Sequence, residues 1–125
     1  VYTGTHDNDT TKAYFEKEKL NKGKNDIYEH AQIYLNYFGD DILSELIRVA
    51  YASVANIVII PMQDVLKLGT EARMNFPSTK GGNWAWRFTW DQIDENLAKH
   101  YFGLSQLYER PPEPKKIEEI QVVEE

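Results

Sequence analysis

A polar cluster near the start of the chain has the residue types that could do chemistry. Four successive residues offer hydrogen-bonding side chains: His6, Asp7, Asn8 and Asp9. A carboxylate beside an imidazole can bind sugar hydroxyls or stabilise positive charge that develops at a reacting carbon. Asp9 or Thr10 can cap a following helix, which leaves His6 and Asp7 as candidates for a functional site. The alternative is that this pair only ties down a turn.

A later loop offers side chains suited to recognising a carbohydrate. Asn75 has both a donor and an acceptor, which matches a vicinal diol. Trp84 and Trp86 could stack on the apolar faces of sugar rings, although aromatic residues also dominate cores. We expect at least one of these two tryptophans in the core. Glu71 and Arg73 are two residues apart, and we expect them to form a salt bridge that orders the loop.

Two segments with strand character are expected to position these side chains. Residues 1–5 are mostly β-branched or aromatic, which suits a packed strand. Residues 57–60 form an uninterrupted aliphatic run, which is typical of a parallel strand covered on both faces. Each segment is followed by polar residues, His6–Asp7 after the first and Gln63–Asp64 after the second. We expect Gln63–Asp64 to order the turn after the second strand.

Helical patterns fill most of the remaining chain. Apolar spacing and capping residues predict helices over residues 11–20, 27–38 and 41–53, and a short helical turn closed by Gly69. A capping box from Thr89 to Gln92 is expected to open a further helix that runs to about Phe102 and is capped by Gly103. The order of strand, helices, strand and helix implies a parallel sheet or an α/β barrel. In such folds, chemistry takes place beyond the carboxyl ends of the strands.

Composition narrows the function classes. The net charge of −6 argues against a nucleic-acid partner, and no apolar run is long enough to cross a membrane. The absence of Cys excludes disulfides and thiolate chemistry and is compatible with the cytoplasm. The sequence has neither a Gly-rich phosphate loop nor an HExxH motif, so we predict no cofactor and no bound metal. Because the chain opens inside a strand, we expect it to be part of a longer protein.

Three blocks of sequence together resemble one enzyme family. They are YTGTHDNDT at residues 2–10, PMQDVLKLG at residues 61–69, and EARMNFP at residues 71–77 followed by GNWAWR at residues 82–87. In this order and spacing they resemble the C-terminal end of amylomaltases, the 4-alpha-glucanotransferases called disproportionating enzymes in plants. The resemblance covers about residues 1–102.

The resemblance implies an α/β fold, the C-terminal portion of a (β/α)₈ TIM barrel. Residues 1–5 look like the seventh barrel strand and residues 56–60 like the eighth, so the barrel is incomplete in this chain. Residues 1–103 are then the C-terminal part of the catalytic domain. Residues 104–125 are expected to be a loosely ordered tail.

The resemblance also implies retaining glycosyl transfer within α-1,4-glucans such as maltooligosaccharides, starch and glycogen. Asp7 matches the family's third carboxylate, which binds sugar hydroxyls and helps distort the ring. His6 matches a histidine that bonds the same sugar, and Asn75 lies in a loop that approaches the glucan. The family's nucleophile and general acid lie upstream of Val1, so we expect the chain alone to be inactive and to need that upstream part as its partner.

Two other functions stay open at this stage. The chain could be a non-catalytic fragment that binds carbohydrate or serves assembly, with Asp7 structural. It could also belong to an α-amylase-type hydrolase, which shares the His–Asp pair at the same strand. The EARMN and GNWxWR blocks point away from that hydrolase.

Overall fold

The computed structural model describes residues 1–21, 23 and 26–110. This part of the chain contains five α-helices, which are α1 (Thr11–Leu20), α2 (Ile27–Leu35), α3 (Ile42–Ala52), α4 (Met62–Val65) and α5 (Glu95–Leu107). Single 3₁₀ turns occur at Thr70–Ala72 and Trp90–Gln92. None of the described helices is both long and apolar enough to span a bilayer. Most of the predicted tail, residues 111–125, lies outside the described residues.

Side-chain caps explain where the longer helices begin. The residue before each of these helices accepts a hydrogen bond from a free backbone N–H of the first turn, namely Thr10 before α1, Asp26 before α2, Asp41 before α3 and Asp94 before α5. The predicted cap at Thr10 is therefore confirmed. The capping box at Thr89 also forms, but it opens only the 3₁₀ turn, and α5 begins after Asp94.

Two predicted helix ends are wrong. α2 stops at Leu35 rather than at residue 38, because Asn36 takes a left-handed conformation with φ of 50°. α5 does not end at Phe102 but continues through Gly103 to Leu107. Its extension is held by Arg110, whose guanidinium donates to the carbonyls of Tyr51 and Ser53 at the end of α3, both at 2.7 Å. α5 therefore crosses the predicted domain boundary at Gly103.

The core is built around α3. One face of this helix is buried, with Ile42, Leu43, Ile47 and Ala50. α3 packs against α1, α2 and α5, and α2 adds Tyr28 and Leu35 to the core. Ile47 is 2% exposed, and burial of such a side chain contributes about 2 kcal/mol.

The two extended segments pair in parallel, but more briefly than predicted. Tyr2 and Ile59 form an isolated parallel bridge, and the Ile59 N–H donates to the Val1 carbonyl at 2.9 Å. The parallel direction is confirmed, whereas the longer strands are not found among the described residues. The predicted burial on both faces is not found among the described residues, where Ile57 is 67% and Ile59 is 58% exposed. No other described strand lies beside these segments to cover them.

Candidate functional site

A buried carboxylate joins the two extended segments where they end. Asp64, which follows the second segment in α4, is 2% exposed. Its Oδ2 accepts hydrogen bonds from the hydroxyls of Thr3 at 2.6 Å and Thr11 at 2.7 Å, and its Oδ1 accepts from the Thr11 N–H at 3.1 Å. Asp64 thus fixes both ends of the stretch that contains His6 and Asp7. The prediction that it orders the turn after the second segment understated this role.

The turn between Thr3 and Thr11 presents His6 and Asp7 to solvent. The Asn8 carboxamide oxygen accepts from the N–H of Thr5 at 3.0 Å and from its hydroxyl at 2.8 Å, which closes the turn. The His6 Nε2 lies 3.4 Å from the Asp7 Oδ2, and both side chains are 52% exposed. Because Asn8 makes the bonds that hold the turn, the side chains of His6 and Asp7 are free to face a ligand.

The third predicted site residue, Asn75, meets this pair from a distant part of the sequence. The Asn75 Nδ2 donates to the Asp7 Oδ1 at 2.6 Å, and the Asn75 backbone N–H donates to the His6 carbonyl at 3.1 Å. The structure therefore brings His6, Asp7 and Asn75 together, although 68 positions separate Asp7 from Asn75. Their functional roles stay predictions.

Arg73 holds the same two loops together. Its Nη2 donates to the Asp7 carbonyl at 2.7 Å, its Nε donates to the Asn75 carbonyl at 2.9 Å, and its guanidinium lies 4.6 Å from the centre of the Phe76 ring. The predicted salt bridge with Glu71 is wrong, although both residues are described. Glu71 turns back and accepts from the Gly69 N–H at 2.8 Å. Backbone N–H groups, its own and that of Gly69, lower the pKa of Glu71.

Trp84 stands against His6. The two ring centres are 4.8 Å apart with planes tilted by 39°, and Trp84 is 51% exposed. Its backbone φ is +62°, which is rare for a bulky residue. Trp86 is half-buried and packs against Phe88. Neither tryptophan is fully buried, so the prediction that one of them lies in the core is wrong.

A cleft of about 220 Å³ opens beside these residues. Its walls include His6, Arg73 and Trp84, and Asp64 lies at its base. The rim therefore combines an imidazole, a guanidinium and an aromatic face, with the Asp7 carboxylate on the same turn. Such a set can hydrogen-bond hydroxyls and stack on an apolar ring face. Among the residues that the structure describes, no three His, Asp or Glu side chains cluster as a metal ion requires.

Two residues that build the site, Asp64 and Arg73, were predicted only to order their own local turn or loop. A signal for Asp64 was present, because it follows the second strand-like segment where polar residues meet in parallel folds. For Arg73 there was no such signal. Its nearest acidic neighbour in sequence suggested an ion pair, whereas its actual acceptors are carbonyls, one of them 66 positions away. Because every residue has a backbone carbonyl, the sequence does not indicate which carbonyl an arginine will bind.

Comparison with known proteins shows a consistent set of relatives. A family model described as 4-alpha-glucanotransferase matches residues 1–93. The 4-alpha-glucanotransferase of Synechocystis sp. is 43% identical over 114 residues, covering 88% of this chain and 21% of the relative. The chloroplastic/amyloplastic 4-alpha-glucanotransferase of Solanum tuberosum is 44% identical over 108 residues, covering 79% of this chain and 17% of the relative.

A solved structure agrees with these relatives. The amylomaltase from Streptococcus agalactiae in complex with acarbose superposes with a TM-score of 0.77 at 32% identity, covering 89% of this chain and 22% of that chain. The chain thus spans about a fifth of the length of the relatives it matches.

Proposed function

The chain belongs to the 4-alpha-glucanotransferase family, and we propose that it forms part of a retaining enzyme that transfers α-1,4-glucan segments to the 4-hydroxyl of another glucan or of glucose. The observation that carries this proposal is the meeting of Asp7, His6 and Asn75 at one turn. Two of the three blocks of sequence that carry the resemblance supply these residues, with 68 positions between Asp7 and Asn75.

In the proposed mechanism, Asp7 is the carboxylate that binds sugar hydroxyls and favours the oxocarbenium-like transition state. Asn75 donates to one carboxylate oxygen, which orients the group before the substrate arrives. The other oxygen lies 3.4 Å from the His6 Nε2, and the Asp7 side chain as a whole is half-exposed, which leaves room for a sugar hydroxyl to approach. His6 bonds the same sugar, and Asn75 lies in the loop that approaches the bound glucan. The reaction needs no metal or other cofactor.

A retaining transfer also needs a nucleophile and a general acid. We propose that both come from the part of the enzyme upstream of Val1, where the resemblance locates them, and that the 125 residues alone do not transfer glucan. The exposed apolar side chains of the two extended segments support this, since neighbouring strands of a (β/α)₈ barrel would cover them. On this view the extended segments are its seventh and eighth strands. The catalytic domain then includes α5 as far as Leu107, past the predicted boundary at residue 103, and the tail begins after this helix. The predicted cytoplasmic location stays part of the proposal.

The test is maltotriose disproportionation, followed by glucose release and by formation of longer oligomers. We would replace the matching segment of the Synechocystis relative with this chain and compare the chimera with its Asp7→Asn variant. Removal of one preorganised electrostatic group costs about 10²–10³ in kcat, so we expect at least a hundredfold loss. Asp91→Asn serves as the matched control, because Asp91 is an exposed aspartate that does not line the cleft.

The alternatives have distinct outcomes. A folded chimera whose Asp7→Asn variant keeps its activity would refute the catalytic role of Asp7. Two results together would favour the non-catalytic carbohydrate-binding fragment. The isolated chain would bind glucan, and the chimera would fold but would not turn over maltotriose. Maltotriose hydrolysis to glucose and maltose without longer oligomers would favour an α-amylase-type hydrolase.

A further inference from the structure

The indole of Trp84 is the nearest ring to the His6 imidazole among the described residues. The ring centres lie 4.8 Å apart, within the range of favourable aromatic pairs. On its other side, the His6 Nε2 faces the Asp7 carboxylate at 3.4 Å. An imidazole that is half-exposed would otherwise sample several orientations about its terminal torsion. The indole of Trp84 and the carboxylate of Asp7 together restrict these orientations.

The loop that carries Trp84 is fixed on both sides. The Asn83 carboxamide accepts from the Phe76 N–H at 2.8 Å and donates to the Thr79 hydroxyl at 2.8 Å. The Trp84 N–H then donates to the Met74 carbonyl at 2.7 Å. The loop therefore holds its conformation through bonds that do not involve the indole ring.

The backbone of Trp84 is strained. A φ of +62° brings the Cβ of an L-residue too close to its own backbone, and glycine or asparagine is far more common there. Such strain persists only where the surroundings impose it, and it gathers at functional sites. Gly82, two residues earlier, takes φ of +75° without this strain. The backbone conformation of the loop thus fixes the direction in which the Trp84 side chain leaves the main chain.

We propose that Trp84 is a positioning residue that holds the His6 imidazole toward Asp7, so that His6 is oriented to hydrogen-bond the sugar. The inference rests on the proposed function, because sugar binding by His6 is part of it. Trp84 acts here through His6, by restricting a ring that would otherwise lose orientational freedom when the substrate binds.

The first test uses the 125-residue chain. Nuclear Overhauser contacts between the Trp84 indole and His6 ring protons are expected in the unmodified chain, with His6→Gln identifying the resonances. The exposed His30 ring provides the reference without such a neighbour. Trp84→Phe should keep contacts to His6, because a ring remains in place. Absence of any contact between Trp84 and His6 in the folded chain would overturn the inference.

The second test measures kinetics in the chimera. Trp84→Ala and Trp84→Gly should each lower kcat/KM for maltotriose by roughly threefold to tenfold, the size of one aromatic pair, with Trp84→Phe close to the unmodified chimera. Trp84→Gly suits the positive φ, so its loss of activity reports the missing ring and not a collapsed loop. Trp90→Ala removes an equally large indole that packs on Phe88, away from His6, and should leave kcat/KM unchanged.

The outcomes separate the two proposals. If Asp7→Asn abolishes transfer while Trp84→Gly matches the unmodified chimera, the positioning role is refuted and the proposed function stands. If Asp7→Asn has no effect, the proposed function fails and this inference fails with it. A loss in Trp84→Gly that Trp84→Phe does not share supports the positioning role.

Discussion

Replacement of Asp64 tests whether one buried carboxylate holds the candidate site in place. This side chain accepts hydrogen bonds from the Thr3 hydroxyl and from both the hydroxyl and the N–H of Thr11. Asp64→Ala leaves these donors without a partner at the base of the cleft. We expect the free energy of unfolding to fall and the turn that bears His6 and Asp7 to lose its fixed geometry.

The expected loss of stability follows from the three hydrogen bonds that Asp64 accepts. A hydrogen bond to a charged group contributes about 1.5–3 kcal/mol, and such contributions are not additive within one network. We therefore expect Asp64→Ala to cost about 3–5 kcal/mol, which is a large share of the roughly 5–15 kcal/mol that stabilises a small domain. Asp64→Asn should cost only about 1–2 kcal/mol. Its carboxamide oxygen can still accept from the Thr11 N–H, and the Thr3 and Thr11 hydroxyls can rotate to accept from its amide.

The assay is urea unfolding of the chain, followed by circular dichroism, with the slope of the transition checked for each variant. Asp91→Ala, an exposed aspartate, is the matched control and should stay within about 0.5 kcal/mol. The reasoning would be refuted if Asp64→Ala destabilised the chain by less than about 1 kcal/mol, or if Asp64→Asn were as damaging as Asp64→Ala.

Two further predictions concern charged side chains, one at the candidate site and one at the start of α3. Arg73→Lys keeps the charge but loses the planar guanidinium that donates to the carbonyls of both Asp7 and Asn75. We expect urea unfolding to show a free energy of unfolding lower by about 1 kcal/mol. An unchanged free energy of unfolding would contradict the role of Arg73 in holding the two loops together. Burial raises the pKa of Asp41, but hydrogen bonds, above all from Lys67, outweigh it, so the net pKa is lowered. The ionised Asp41 carboxylate therefore stabilises the fold above its unfolded pKa of about 3.9, and this stabilisation is lost as the pH falls through its lower folded pKa. We expect the free energy of unfolding of the chain, measured by urea unfolding, to fall more between pH 5 and pH 3 than that of its Asp41→Asn variant.

Local patterns predicted the helices well because their determinants are local. The start of α1 follows from Thr10, and the buried face of α3 follows from apolar residues at helical spacing. Helix ends were harder to predict, because they depend on single backbone conformations and distant contacts. Asn36 ended α2 early through a left-handed φ, and Arg110 held α5 together past Gly103.

The candidate site was predictable in its members but not in its framework. The motif order pointed to His6, Asp7 and Asn75, and the structure brings them together. The residues that hold them there were not predicted in that role, since Asp64 and Arg73 act through hydroxyl and backbone partners far away in sequence. Such partners follow only from the fold.

The two extended segments have exposed apolar side chains, yet the turn that follows the first of them is held by hydrogen bonds within the chain. Val1, Tyr2, Ile57 and Ile59 are exposed. The polar ends of the same segments are nevertheless tied together by buried bonds to Asp64. The described residues thus organise the Asp7 turn internally, without help from strands that would cover those apolar side chains. In the proposed enzyme, the upstream part would bury this apolar surface and supply the nucleophile and the general acid, and it would meet an Asp7 that is already oriented by Asn75.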